Sequence, residues 1–200
     1  MAKHAVQSGP TNLERHYKDN VVPKMMKKFN YKNAMQCPKL VKVVVNMGVG
    51  KAIDDIKILE ESVAELAGIT GQKPVMTRAK KSISNFKIRK GQAIGCFVTL
   101  RKKRMHEFAD RLMNVSLPRI RDLRGVSARA FDDSGNYNLG LREQNIFPEV
   151  VSDRVTRAQG MNITFVTTAK TKDEAMYLMY YLGMPFRGKD ERLVLEEAKG

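Results

Sequence analysis

Three short segments alternate apolar and polar residues with the period of a β-strand, and each runs into a stretch with helical period. They are residues 40–46 (LVKVVVN), 95–101 (GCFVTLR) and 161–168 (MNITFVTT). Period-two alternation puts successive side chains on opposite faces of a sheet. In the first segment Val41, Val43 and Val45 share one face, and Lys42, Val44 and Asn46 share the other. In the second, Cys96, Val98 and Leu100 oppose Phe97, Thr99 and Arg101. In the third, Ile163, Phe165 and Thr167 oppose Asn162, Thr164, Val166 and Thr168. Each strand therefore has one apolar face and one face rich in short polar groups and cations.

The helical stretches supply the apolar partner surface. Tyr17, Val21, Met25 and Phe29 recur every four residues over 13–29, with Pro23 predicting a kink or a late start. After Asp54 or Asp55 as cap, Ile56, Leu59, Val63 and Leu66 form a second stripe. Met105, Phe108, Leu112 and Val115 form a third over 103–116, ended by Pro118. Thr171 and Glu174 make a capping box for a fourth, with Ala175, Leu178, Met179 and Leu182 aligned before Gly183. Residues 75–79 and 137–142 are further, shorter strand candidates. Together these predict an α+β fold: a mainly antiparallel β-sheet with helices packed on one face and the other face open. We expect one domain over 13–187, a disordered N-terminal arm at 1–12 and a charged C-terminal tail at 188–200.

Charge says what the open face meets. The chain has 200 residues, with 36 Lys and Arg against 21 Asp and Glu, a net charge of +15. Residues 66–106 carry eleven of the cations and no acid. An ordinary solvated surface mixes both signs and so limits self-repulsion. An acid-free run of this length predicts a polyanion-binding surface. Its centre, residues 80–91, is a basic loop with Ser82, Ser84, Asn85 and Gly91 among Lys80, Lys81, Lys87, Arg89 and Lys90. Such a loop can mould to a phosphate backbone, and we expect it to be mobile without a partner. Amides and hydroxyls on the open face suit the 2′-hydroxyls and base edges of structured RNA. The few aromatics do not make a platform for single strands.

Other chemistry is not encoded. Gly48-Val49-Gly50-Lys51 is followed by Ala52, not the Ser or Thr of a phosphate-binding loop, and acids follow at 54 and 55. The turn reads as structural, with glycine there for close approach to its neighbour. The histidines, His4, His16 and His106, are scattered, and Cys37 and Cys96 have neither disulfide nor zinc spacing. No catalytic constellation, cofactor or metal is implied. No run approaches the roughly 18 apolar residues of a membrane span, and no export signal opens the chain. A soluble cytoplasmic protein with no membrane partner is the expectation.

A series of motifs resembles one family. Asn46-Met47-Gly48-Val49-Gly50, Gly71-Gln72-Lys73-Pro74, Arg78-Ala79-Lys80-Lys81-Ser82, Phe86-Lys87-Ile88-Arg89, the 95–101 strand, Pro118-Arg119-Ile120-Arg121-Asp122, Gly135-Asn136-Tyr137, Arg142-Glu143-Gln144 with Ile146-Phe147-Pro148-Glu149, and Pro185-Phe186 follow one another as in bacterial large-subunit ribosomal protein five. The resemblance implies a structural, non-enzymatic protein of the large ribosomal subunit. It implies binding to 5S ribosomal RNA in the central protuberance, through residues matching Asn46, Gln72 and Thr99, with Lys73 and Arg101 beside them. It further implies contact with 23S ribosomal RNA and with other central-protuberance proteins. An intersubunit bridge to small-subunit protein thirteen is implied from loops within 119–147. The basic loop, with Lys80, Lys81, Lys87, Arg89 and Lys90, would face P-site tRNA. Phe97 departs from the polar or basic residue expected on the RNA side of its strand.

Overall fold

The computed structural model describes residues 9–53, 55–120, 125–150 and 157–187. The expected tail at 188–200 and most of the expected arm, residues 1–8, lie outside these, as do Asp54 and Arg121-Asp122. Within the expected arm, Thr11 caps a helix by accepting a hydrogen bond from the Glu14 N–H.

That helix runs as α1 (Asn12–His16), a π-helical turn (Tyr17–Val21) and α2 (Val22–Phe29). Pro23 neither breaks it nor delays its start. The wider turn just before the proline frees the carbonyl that a proline ring would strike. Strand β1 (Leu40–Gly48) follows, then α3 (Ile56–Thr70), β2 (Val75–Arg78), β3 (Ala93–Leu100), α4 (Lys102–Arg111), β4 (Tyr137–Leu141), β5 (Met161–Thr167) and α5 (Lys172–Tyr181). The sheet has the order β2-β3-β1-β5-β4, with every neighbour antiparallel. Helix α3 packs on β3 and α4 on β1, while α1 rests on α4 and α2 on α5. The helices together bury one sheet face. Its residues Val43, Val45, Met47, Cys96, Val98, Leu100, Ile163 and Phe165 join Leu59, Leu66, Phe108, Leu112, Leu178 and Met179 in one core. No helix among the described residues is long and apolar enough to cross a membrane.

Three stripe assignments need correction, each for a local reason. Val41 is exposed, because the β1–β5 register shifts between Leu40 and Lys42 and turns Leu40 inward instead. In α3 the buried face is Leu59, Ser62, Leu66, Ile69 and Thr70, and Ile56 is half exposed. Ser62 and Thr70 tolerate burial by donating to the Ile58 and Leu66 carbonyls at 2.9 and 2.7 Å. After α4 a π-helical turn (Leu112–Ser116) rotates the stripe, so Val115 faces out and Ser116 faces in.

Candidate nucleic-acid interface

The face opposite the helices is built by strand register. One row across the sheet reads Val75, Phe97, Asn46, Asn162, Gly140. The next reads Thr99, Val44, Thr164, Asn138. Continuing the register, Arg101 falls opposite Lys42, which pairs Val166. Arg101 lies one residue past the end of β3, as the cap residue of α4. Its extended backbone (φ −139°, ψ 163°) continues the alternation, and the residue is exposed. Asn46, Thr99 and Lys42 are half-buried, and Asn138 and Asn162 are exposed. Thr164 Oγ1 donates to Asn138 Oδ1 at 2.7 Å, so this pair is already partly organised. β4 adds Asn138 and Gly140 to the open face, which the alternation of YNLGL could have shown.

Gln72 joins the site differently from Asn46 and Thr99. It sits in the turn between α3 and β2, where Gly71 takes a left-handed backbone (φ 67°) as the helix cap. Its Nε2 donates to the Thr99 carbonyl at 3.2 Å. β2 pairs with β3 only as far as Val75–Phe97, so beyond that point the Thr99 carbonyl has no strand to meet. The Gln72 amide takes that strand's place. Lys73 follows, exposed, and Pro74 is buried.

A second glutamine does the same at the other end of β1. Gln159 Nε2 donates to the Gly48 carbonyl at 2.9 Å, just where β5 begins too late to reach it. Gln159 is itself held by Gln144, which is 1% exposed: Gln144 Oε1 accepts from the Gln159 N–H at 2.5 Å and its Nε2 donates to the Arg157 carbonyl at 2.7 Å. Glu65 Oε2 lies 3.4 Å from that Nε2. Burial raises the Glu65 carboxyl above its ordinary range, and the Gln144 bond pulls it back in part. Sequence reasoning has Gln144 only as part of a family motif and misses this cluster, since isolated glutamines in loops carry no pattern that shows their partners. The Gly48–Gly50 turn also needs correction. A side chain at Gly48 or Gly50 would meet nothing within 4 Å. Gly95 opposite is the crowded position, where an added Cβ would lie 2.6 Å from the Met47 carbonyl.

From this end of the sheet the basic segment projects as a folded-back hairpin. Ala79 N–H donates to the Gln92 carbonyl at 2.8 Å, and Ile83 and Ile88 exchange bonds of 2.9 and 3.1 Å. Ser82 Oγ accepts from the Lys90 N–H, and Gln92 Oε1 from the Arg89 N–H. Lys87 turns the tip with a left-handed backbone (φ 53°), so a cation stands where glycine is the default. Lys80, Lys81, Lys87, Arg89 and Lys90 all lie on this outer hairpin, and none forms an ion pair among the described residues. Cys37 and Cys96 are free and buried; burial pushes the Cys96 thiol up to about 11, which leaves it an inert core group. No cluster of metal-ligating side chains occurs among the described residues.

A one-sided α+β sheet with a polar open face, edged by unpaired cations, has the make-up of a protein that binds folded RNA. Comparison with known proteins makes this specific. A family model described as ribosomal protein L5 matches residues 33–89, and a second, describing the C-terminus of the same ribosomal protein family, matches residues 93–186. The chain is 57% identical over 176 residues to large ribosomal subunit protein uL5 of Clostridium botulinum (strain Eklund 17B / Type B), covering 88% of this chain and 98% of that one. It is 60% identical over 175 residues to the protein of the same description from Pelobacter propionicus, with the same coverage. For Clostridium perfringens (strain SM101 / Type A) the identity is 59% over 174 residues, covering 87% and 97%. The chain belongs to the ribosomal protein L5 family. It is a structural, non-enzymatic constituent of the large ribosomal subunit in the bacterial cytoplasm, and it assembles there with ribosomal RNA. The two matched segments share one sheet: the first supplies β1 and β2, the second β3, β4 and β5.

Proposed function

We propose that the open sheet face binds 5S ribosomal RNA and helps attach it to 23S ribosomal RNA in the central protuberance, among the other proteins there. Asn46 and Thr99 contact the RNA directly, and Gln72 presents the edge of β3 to it. Lys73 and Arg101 hold flanking phosphates. The hairpin, through Lys80, Lys81, Lys87, Arg89 and Lys90, reaches P-site tRNA. Loops within 119–147 meet small-subunit protein thirteen in an intersubunit bridge. The observation that carries this reading is the register itself, which sets Asn46 between Phe97 and Asn162 on a face that no helix among the described residues covers. Asn46→Ala and Thr99→Ala test it. Each should weaken 5S ribosomal RNA binding by roughly 1–3 kcal/mol, because a dry partner group loses its bond. Wild-type affinity in both variants would sink the face assignment.

A further inference from the structure

Among the described strand residues of the open face, one is aromatic. Phe97 stands mid-strand on β3, half-buried, between cross-strand neighbours Asn46 and Val75. The core rings pair with one another: Phe108 with Phe147, Phe131 with Tyr137, Tyr137 with Phe165 and Phe186. Phe97 pairs with no ring among the described residues and is not packed against the core. Val75, beside it, is 58% exposed. The row thus runs from an apolar shelf, Val75 and Phe97, to two amides, Asn46 and Asn162, and then to Gly140, which has no side chain. Cross-strand neighbours stand about 5 Å apart. An amide therefore lies one side chain's width from the ring, the separation between the face of a stacked base and a group bonding its edge.

We infer that Phe97 takes the face of one extruded nucleobase of the bound RNA, with the Asn46 amide reading that base's edge. The inference rests on the proposed RNA reading of this face and names the subsite within it. A half-buried ring on an open sheet face offers its outer π-face to a base. Phosphates on either side of the extruded nucleotide meet Lys73 and Arg101, which are exposed, and no acid occurs between Glu65 and Glu107 to repel them. Because the shelf holds one ring, it takes one base. The remainder of the face contacts backbone and 2′-hydroxyls.

The chain contains no Trp, so Phe97→Trp introduces a single selective fluorophore at the subsite. Its emission should be quenched by 5S ribosomal RNA at one-to-one stoichiometry and not by duplex DNA. Phe97→Ala and Phe97→Leu should each weaken 5S ribosomal RNA binding about 5- to 100-fold, with an unchanged salt slope, because no phosphate contact is lost. Phe97→Tyr should bind as the wild type does. Phe97→Leu retains an apolar strand residue, so its urea midpoint separates lost stacking from lost folding. Three outcomes would overturn the inference. Phe97→Ala and Phe97→Leu could stay within twofold of a wild type that still prefers 5S RNA, in which case the RNA reading stands and the subsite falls. They could weaken duplex DNA equally, in which case the loss is not base stacking. Or the wild type could show no preference for 5S RNA, in which case both readings fall.

Discussion

The Gln72 amide donates to the Thr99 carbonyl at 3.2 Å, across 27 residues of chain. The bond completes the β3 ladder where β2 has ended, so Gln72 holds the edge of the open face in shape before any RNA arrives. Gln72→Ala should therefore act on the free protein as well as on binding. The carbonyl is within reach of water, so the stability loss should be small, about 0.5–1 kcal/mol. Urea unfolding of the free chain measures it. An unchanged midpoint together with weaker RNA binding would give Gln72 a purely intermolecular role.

Gln144 should matter far more to the fold. It is buried and serves the Gln159 N–H and the Arg157 carbonyl at once. Gln144→Leu leaves both groups without partners and should destabilise the chain by about 2–4 kcal/mol. Thermal unfolding checks this. A loss under about 0.5 kcal/mol, the low end for one ordinary hydrogen bond, would mean that the cluster does not hold the Gly48 end of the sheet.

Gly95→Ala tests the close approach of β1 and β3. The added methyl would press on the Met47 carbonyl, and overpacking of this kind destabilises by about 1–3 kcal/mol. Gly48→Ala, directly across from it, meets open space and should be close to neutral for folding. If the two variants unfold alike, the register drawn between these strands is wrong.

His106 gives the fold a pH dependence. Burial holds its ring below the ordinary histidine value, with Glu14 opposing the shift and Lys18 adding to it. Its Nδ1 is buried without a hydrogen-bond partner among the described residues. The unfolded chain therefore binds a proton more readily than the folded one. Stability from this group is complete above the ordinary value near 6.5 and declines as pH falls from there toward the lower folded value. Urea midpoints across that window should fall less steeply for His106→Gln than for wild type. Parallel slopes would contradict the burial argument.

What was legible in the sequence is what periodicity encodes. Asn46 and Thr99 could be placed on one face because alternation in a strand is strict, and β1, β3 and β5 obey it over most of their length. Val41 escaped because a bulge is a register event between strands, visible to neither strand alone. Val115 and Pro23 escaped because a π-helical turn changes the helical period locally, and nothing in Leu112-Met113-Asn114 announces one. The basic segment was recognisable by its charge, but not its hairpin, which rests on backbone pairing between Ile83 and Ile88 and on a left-handed lysine. Gln72 and Gln159 were invisible as strand substitutes, since their partners are backbone carbonyls set by the sheet.

The hairpin cations should behave as phosphate contacts and no more. Replacing Lys87 and Arg89 with Gln should weaken transfer RNA, a folded control RNA and duplex DNA by similar factors. The slope of log affinity against log salt should drop by roughly 1.4 to 1.8 for the pair. Loss confined to one nucleic acid would mean that these side chains read bases.

The central claim, that the open face recognises 5S ribosomal RNA and does more than attract charge, is tested most directly by a salt titration of wild-type binding. 5S ribosomal RNA, a folded control RNA of similar length and duplex DNA are compared under the same conditions. All three should weaken as salt rises, but 5S RNA should keep tight binding at salt that releases the other two, because Asn46, Thr99 and their neighbours on the sheet hold it through uncharged contacts. Three coincident curves would contradict the account and leave net charge as the whole explanation of binding.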